Sequence, residues 1–247
     1  MTTDHTFDPM PYSEPLEIGE HRVMADELIE ILGEFLTDER KASIAEVLEH
    51  RTYRVATVLD GIYDRGNASA VFRTAEALGY QSMHVVESEE GFKEANRVTK
   101  GADQWLDVER YDTPEECIPV LRERGYRIVA TDLEAAVPIA EVDFTEPTAM
   151  VFGNEKDGVS EAMLEAADVR CVVPMVGFVQ SYNISVGAAI ALYHIYERRV
   201  AQQGPHGDLT DHQKRVLTAL YYARSMSDRK RMLNGILNRW EAGELLS

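Results

Sequence analysis

Between Tyr53 and Arg199 the chain alternates buried-strand signatures with helical periodicity, and this alternation constrains the fold more than any other feature. Tyr53-Arg-Val-Ala-Thr-Val-Leu reads as a strand and Ala68 to Leu78 as a helix closed by Gly79, a residue that tolerates the left-handed turn ending many helices. Ser82 to Val86 is a second strand, Pro114 to Arg124 a helix closed by Gly125, and Tyr126 to Thr131 a third strand. Thr148 to Phe152 is a fourth strand, Ser160 to Ala167 a helix, Val169 to Val173 a fifth strand, and Ser181 to Arg199 a long helix. Parallel strands need crossover connections, and helical crossovers cover the faces of the sheet they serve. The pattern therefore predicts an α/β fold: a mostly parallel sheet with helices on both faces, plus N- and C-terminal helical extensions.

The flanks divide accordingly. Residues 1–22 are acidic and proline-containing without periodicity, and read as a flexible arm. Residues 23–51 show helical spacing in Leu28, Ile31, Leu32 and Phe35, then in Ile44, Val47 and Leu48, with Thr37 or Asp38 as the cap of a second helix. The α/β domain is assigned to 52–201, and a helical extension to 208–247 after the loop Gln202-Gln-Gly-Pro-His-Gly-Asp.

Composition excludes several classes. The N-terminus lacks the basic start and apolar core of a signal peptide. The longest apolar stretch, Ile184 to Ile195, falls short of the roughly 20 residues of a membrane span. A soluble, cytoplasmic protein without a membrane partner is the expectation. The two cysteines, Cys117 and Cys171, form no CxxC pair and the seven histidines no ligand spacing, so no metal is expected. The net charge of −18 argues against a generic nucleic-acid coat. Seven basic residues nevertheless fall between Lys214 and Arg239 against the single acid Asp228. That run is either a solvated helical face or a local phosphate-gripping patch carried by Arg229, Lys230 and Arg231.

No GxGxxG follows the first strand and no GxxxxGK[ST] occurs, so the common dinucleotide and nucleoside triphosphate cradles are missing. Three other segments stand at strand C-termini, where ligands collect in open α/β sheets. In Asp64-Arg-Gly-Asn-Ala-Ser-Ala-Val-Phe-Arg-Thr, Asn67 stands at a helix start with Arg73 six residues on. The two converge only if Asn67 lies in the cap turn, outside the helix. An ordinary N-cap and a surface arginine are the alternative. Val151-Phe-Gly-Asn-Glu-Lys-Asp-Gly-Val-Ser ends a strand in a Gly-x-Glu-x-x-Gly loop, which suits close backbone approach to a ligand or a plain strand-to-helix turn. Val173-Pro-Met-Val-Gly-Phe-Val-Gln-Ser-Tyr-Asn-Ile-Ser-Val-Gly-Ala-Ala leads into a helix of small residues, with Ser181 a plausible cap.

Taken together, the order and content of these segments resemble the three motifs of the SpoU/TrmH family of RNA 2′-O-ribose methyltransferases. Asn67 with Arg73-Thr matches the first, Phe152-Gly-x-Glu-x-x-Gly-Val the second, and Val173-Pro-Met-x-Gly-x-x-x-Ser-x-Asn-Ile-Ser-Val the third. The likeness runs from about Thr37 to Arg199 and includes Val-Ala-Thr-Asp-Leu (129–133) and Asp143-Phe-Thr-Glu-Pro-Thr. Glu49-His-Arg-Thr ahead of the first motif is most similar to the TrmH branch, which methylates a D-loop guanosine of tRNA.

The resemblance implies a SPOUT fold with a C-terminal deep trefoil knot, S-adenosylmethionine as cofactor, RNA as partner and a homodimer in which the arginine of one subunit completes the other's site. It places Thr131, Gly153, Val173, Met175 and Tyr182 around the cofactor. It makes Arg73 the catalytic residue at the ribose 2′-hydroxyl, with Asn67, Glu155, Ser181 and Asn183 shaping the site. Arginine is a poor base by its reference pKa, so the implied role runs through the substrate phosphate. Arg40 and Lys41 join the candidate RNA contacts. Tyr182 stands where the family usually has leucine, and Gln104 precedes Trp105 where tRNA-modifying relatives often carry lysine. Ribosomal RNA is the alternative substrate, and a non-catalytic knotted RNA-binding protein the alternative class.

Overall fold

A computed structural model of the chain describes Phe7 and residues 9–62, 64–87, 103–135, 137–226 and 230–244. In chain order come β1 (Leu16–Ile18), β2 (His21–Val23), α1 (Ala25–Gly33) and α2 (Asp38–Leu48). There follow β3 (Thr52–Asp60), α3 (Arg65–Ala77), β4 (Tyr80–Val86), β5 (Asp107–Tyr111), α4 (Pro114–Glu123), β6 (Arg127–Thr131) and β7 (Val137–Pro138). Then come β8 (Thr148–Gly153), α5 (Glu161–Ala166), β9 (Val169–Val172), α6 (Ile184–Gln203), α7 (Asp211–Ser225) and α8 (Lys230–Glu241). None of the helices among the described residues is long and apolar enough to cross a membrane.

The contacts divide the chain into two units, Met1–Pro9 with Thr52–His206 and Met10–Arg51 with Gly207–Ser247. In the first, seven strands form a sheet of order β5-β4-β3-β8-β6-β9-β7, and every pairing is parallel. The central strands β3 and β8 are buried almost throughout, as a sheet covered on both faces demands. On one face Val55, Leu59, Met150 and Phe152 pack with Phe72 of α3 and Leu192 of α6. On the other, Val58, Ile128 and Val151 pack with Leu121 of α4 and Met163 of α5. Two buried tyrosine hydroxyls on this framework find backbone acceptors: Tyr80 Oη donates to the Leu192 carbonyl (2.8 Å) and Tyr126 Oη to that of Tyr53 (2.6 Å).

Strand β5 is absent from the sequence reading because Asp-Val-Glu-Arg-Tyr carries no strand periodicity. As an edge strand it is half-buried, and Glu109 is neutralised by Arg124 of the loop after α4 (2.8 Å). The reading of residues 1–22 as an arm also needs correction. Leu16–Ile18 pairs antiparallel with His21–Val23 around Gly19, whose φ of +63° closes the turn. Two three-residue strands are too short to leave a periodic signal.

The second unit joins the two terminal helical segments that the sequence reading kept separate. Helix α1 packs on α7, α2 packs on α7, and His21 Nδ1 pairs with Glu241 of α8 (2.9 Å). Thr37 caps α2 by accepting from the Arg40 N–H (3.2 Å), and Thr210 and Gln213 form a capping box on α7.

Inside the sheet His84 is fully buried, between the Ser82 hydroxyl (3.0 Å) and Tyr111 Oη (2.9 Å). Burial holds its imidazole neutral and pushes its pKa down to about 4 from an ordinary 6.5. The unfolded chain takes up this proton from about pH 6.5 downward, whereas the folded chain resists until about pH 4. The neutral histidine's contribution is therefore fully present above pH 6.5 and is lost as the pH falls toward 4, by up to about 3 kcal/mol. Thermal melting of the wild type should decline across that window, and His84→Gln should flatten the decline. An unchanged slope in the variant would contradict this assignment.

Candidate active site

Because all seven strands run parallel, their C-terminal ends gather along one edge. There a cavity of about 450 Å³ opens. Its walls come from Thr131 to Glu134 after β6, Phe152 to Val159 after β8, Arg170 to Val173 of β9 and beyond, Met175, and Ser181, Tyr182, Ile184, Gly187 and Ala188 leading into α6. Thr131 is held by its hydroxyl, which donates to the Val151 carbonyl on the neighbouring strand (3.0 Å).

The loop after β8 is shaped by its own backbone. Asn154 and Gly158 exchange N–H···O=C hydrogen bonds in both directions, each 3.1 Å. Asn154 Oδ1 accepts from the N–H groups of Lys156 (2.9 Å) and Asp157 (2.7 Å). A Cβ on Gly153 would lie 2.0 Å from the Gly158 carbonyl carbon, so no other residue fits there. Gly158 takes φ +75°, the left-handed region that glycine enters without cost.

This loop delivers Glu155 to a cluster of amides. Asn67 Nδ2 donates to Glu155 Oε1, and Asn67 Oδ1 accepts from Asn183 Nδ2 (3.2 Å). Asn183 Oδ1 in turn accepts from the backbone N–H (3.0 Å) and hydroxyl (2.6 Å) of Ser185. Both helix starts differ from the sequence reading. Asp64, not Asn67, caps α3 by accepting from the Asn67 N–H (2.8 Å), which places Asn67 inside the first turn. Asn183, not Ser181, caps α6. In each case a nearer Asx side chain takes the capping role, because the Asx carboxyl or amide oxygen reaches the N–H two or three residues on.

Thr131, Gly153, Val173, Met175 and Tyr182 thus line one cavity, and Glu155 and Ser181 line it as well. Arg73 does not. It lies on the exposed side of α3, roughly 9 Å along the helix axis from Asn67. Sequence reasoning missed Asp132, Leu133, Glu134 and Arg170 as wall residues. The run 129–133 pointed to the first two, while nothing in the sequence singled out Arg170, whose Nε donates to the Leu164 carbonyl (3.0 Å).

The basic run of the second unit is largely engaged in ion pairs. Lys214 pairs with Glu49 (2.6 Å), Arg215 with Glu14 and Asp26, and Arg239 with Glu244 (3.7 Å), while Arg224 donates to Tyr12 Oη (2.6 Å). Lys41 pairs with Asp38 one turn away (3.0 Å), and Arg40 is exposed. Arg231 is exposed on α8; Arg229 and the side chain of Lys230 lie outside the described residues.

Comparison with known proteins agrees with this geometry. Residues 54–193 match the SpoU rRNA Methylase family. A tRNA (guanosine(18)-2′-O)-methyltransferase of Borreliella burgdorferi is 40% identical over 171 residues, covering 69% of this chain and 78% of that protein. The crystal structure of the A. aeolicus TrmH/SpoU tRNA modifying enzyme superposes with a TM-score of 0.69 at 32% identity, over 76% of this chain and 96% of that one. The SpoU methyltransferase AviRb from Streptomyces viridochromogenes, in complex with the cofactor AdoMet, superposes at 0.54 with 26% identity, over 62% of each chain. With the three loops assembled at one sheet edge and a relative this similar over two thirds of its length, the chain belongs to the SpoU methylase family.

Proposed function

We propose that the chain transfers a methyl group from S-adenosylmethionine to a ribose 2′-hydroxyl of tRNA, at a D-loop guanosine, its relatives being named for guanosine(18). The observation that carries this reading is the convergence of the loops after β6, β8 and β9 on one cavity, beside the Asn67–Glu155–Asn183 cluster. At about 450 Å³ the cavity falls within the roughly 300–1,000 Å³ usual for small-molecule sites. The crowded Gly153 backbone suits a ligand held by main-chain groups. Thr131, Gly153, Val173, Met175 and Tyr182 would hold the methyl donor, which when bound supplies an electrophilic methyl carbon. Tyr182 adds an aromatic ring to a wall otherwise made by Phe152, Val159 and Ile184.

The chain's own residues then have to place a ribose in line with that carbon. Asn67 is oriented by Glu155 on its amide side and by Asn183 on its carbonyl side, which fixes the plane of its amide. Ser181 lines the cavity and is exposed. Positioning of this kind lowers barriers by several kcal/mol. Arg73 is the cation assigned to the RNA phosphate beside the reacting ribose. Because it is set back along α3, we assign it to the site of a second copy, in a homodimer. Val186, Ile190 and Tyr193 support this assembly, since they recur at i, i+4 and i+7 along α6 as an exposed apolar stripe near the cluster. A trefoil knot is the further reading of this region: β9 enters the sheet between β6 and β7, both of which precede it, and the segment that follows folds back on the loop after β8.

Three experiments test the proposal. Transfer of labelled methyl from S-adenosylmethionine to a tRNA transcript should be clear for the wild type and fall at least about a hundredfold in Arg73→Ala, the usual scale for losing a group that acts on transition-state charge; a variant that keeps full activity refutes the role. Ile190→Lys should shift the chain from dimer to monomer in sedimentation and abolish transfer, and an active monomer would remove the shared site. Neutralising Arg229, Lys230 and Arg231 together should weaken RNA binding for all sequences and flatten its dependence on salt. An unchanged salt slope would remove those residues from the RNA contact.

A further inference from the structure

From Gly153 to Val159 every residue lines the cavity, so the placement of this one loop decides the cavity's shape. Both ends of the loop meet a single residue, Asp60, the last of β3. On the sheet, Asp60 is the register partner of Gly153, where the loop begins. Its side chain crosses to the other end, where Oδ2 accepts the Ser160 N–H (2.7 Å). Ser160 is also the cap of α5, accepting from the Met163 N–H (3.4 Å), so the contact anchors the helix that follows the loop.

The chemistry of that contact is unusual for a structural tie. Asp60 is only 3% exposed, and no salt bridge reaches it among the described residues. Burial pushes its carboxyl above the usual range, against the pull of the Ser160 hydrogen bonds, and Glu115 adds to the push. A neutral acceptor would cap Ser160 at lower desolvation cost, but an ionised one makes the shorter and stronger bond. Local disfavour of this kind is concentrated where function requires a fixed geometry.

We propose that Asp60 is a positioning residue that clamps both ends of the methyl-donor loop, acting on the donor site through Gly153 and Ser160 without lining it. The inference rests on the reading of the cavity as the S-adenosylmethionine site. Calorimetry with S-adenosylmethionine alone, RNA binding without the donor, and thermal melting together test it. Asp60→Ala should weaken donor binding about tenfold, the scale of one lost hydrogen bond to a charged group, and leave RNA affinity within about twofold of the wild type. Asp60→Asn, which keeps an acceptor oxygen, should recover donor affinity to within about threefold. It should also melt no lower than the wild type, because a neutral amide costs less to bury than a carboxylate. If Asp60→Ala does not fold, Asp60→Ser carries the same expectation, its hydroxyl being too short to reach Ser160. Donor binding unchanged in the alanine or serine variant, or lost to the same degree as RNA binding, overturns the clamp. A wild-type chain that binds no S-adenosylmethionine overturns instead the reading on which the clamp rests.

Discussion

The site depends on a contact between two stretches of main chain. Gly153 ends the buried strand β8 with its backbone against Gly158, leaving no volume for a side chain. The loop between them is therefore folded by its own hydrogen bonds, the paired N–H···O=C bonds of Asn154 and Gly158 and the Asn154 side chain reaching forward. A loop set in this way needs no packing from its side chains, and they are left exposed toward the cavity. Glu155 is consequently presented to Asn67 from a fixed base, and the two helices α3 and α6, which pack on the same sheet face, bring Asn67 and Asn183 to meet it.

The same rigidity holds two residues of the first motif apart. Asn67 occupies the first turn of α3 and Arg73 lies nearly two turns further on, on an exposed face. A helix docked by Ala68, Val71, Phe72 and Ala75 cannot bend to bring the two together, since interiors are packed as tightly as molecular crystals. The physical choice is between an arginine without a role in transfer and an arginine that serves a neighbouring copy. The exposed apolar stripe of Val186, Ile190 and Tyr193 is what the proposed dimer would cover.

Much of this was legible in the sequence, for physical reasons that differ by element. Strands β3, β6 and β8 carry apolar runs because they are buried on both faces, and such runs are visible without a structure. Glycines of positive φ, Gly79 and Gly125, marked the helix ends. The edge strand β5 was not legible, since half its side chains meet water or a partner such as Arg124, and the β1–β2 ribbon was too short. At the site, wall residues contributed by motif loops were readable. Arg170 was not, because a charged residue on a half-buried strand looks like any other surface cation until its carbonyl partner is seen. The caps at Asp64 and Asn183 were misplaced because several Asx and Ser residues compete within four positions, and only backbone geometry decides among them.

The charge distribution was the least legible feature, and it bears directly on how an acidic protein meets RNA. Counting residues makes the segment from Lys214 to Arg239 a basic patch, yet Lys214, Arg215 and Arg239 are already paired with carboxylates of their own unit. Each exposed pair adds at most about 1 kcal/mol to stability, so these contacts do little to hold the fold. Their larger effect is on the field: a guanidinium facing a carboxylate presents a dipole to a phosphate, and counterion release follows net neutralisation of phosphates. With −18 charges on the whole chain, long-range attraction to RNA is small. Recognition must then be concentrated where cations not already matched by carboxylates meet a shaped surface.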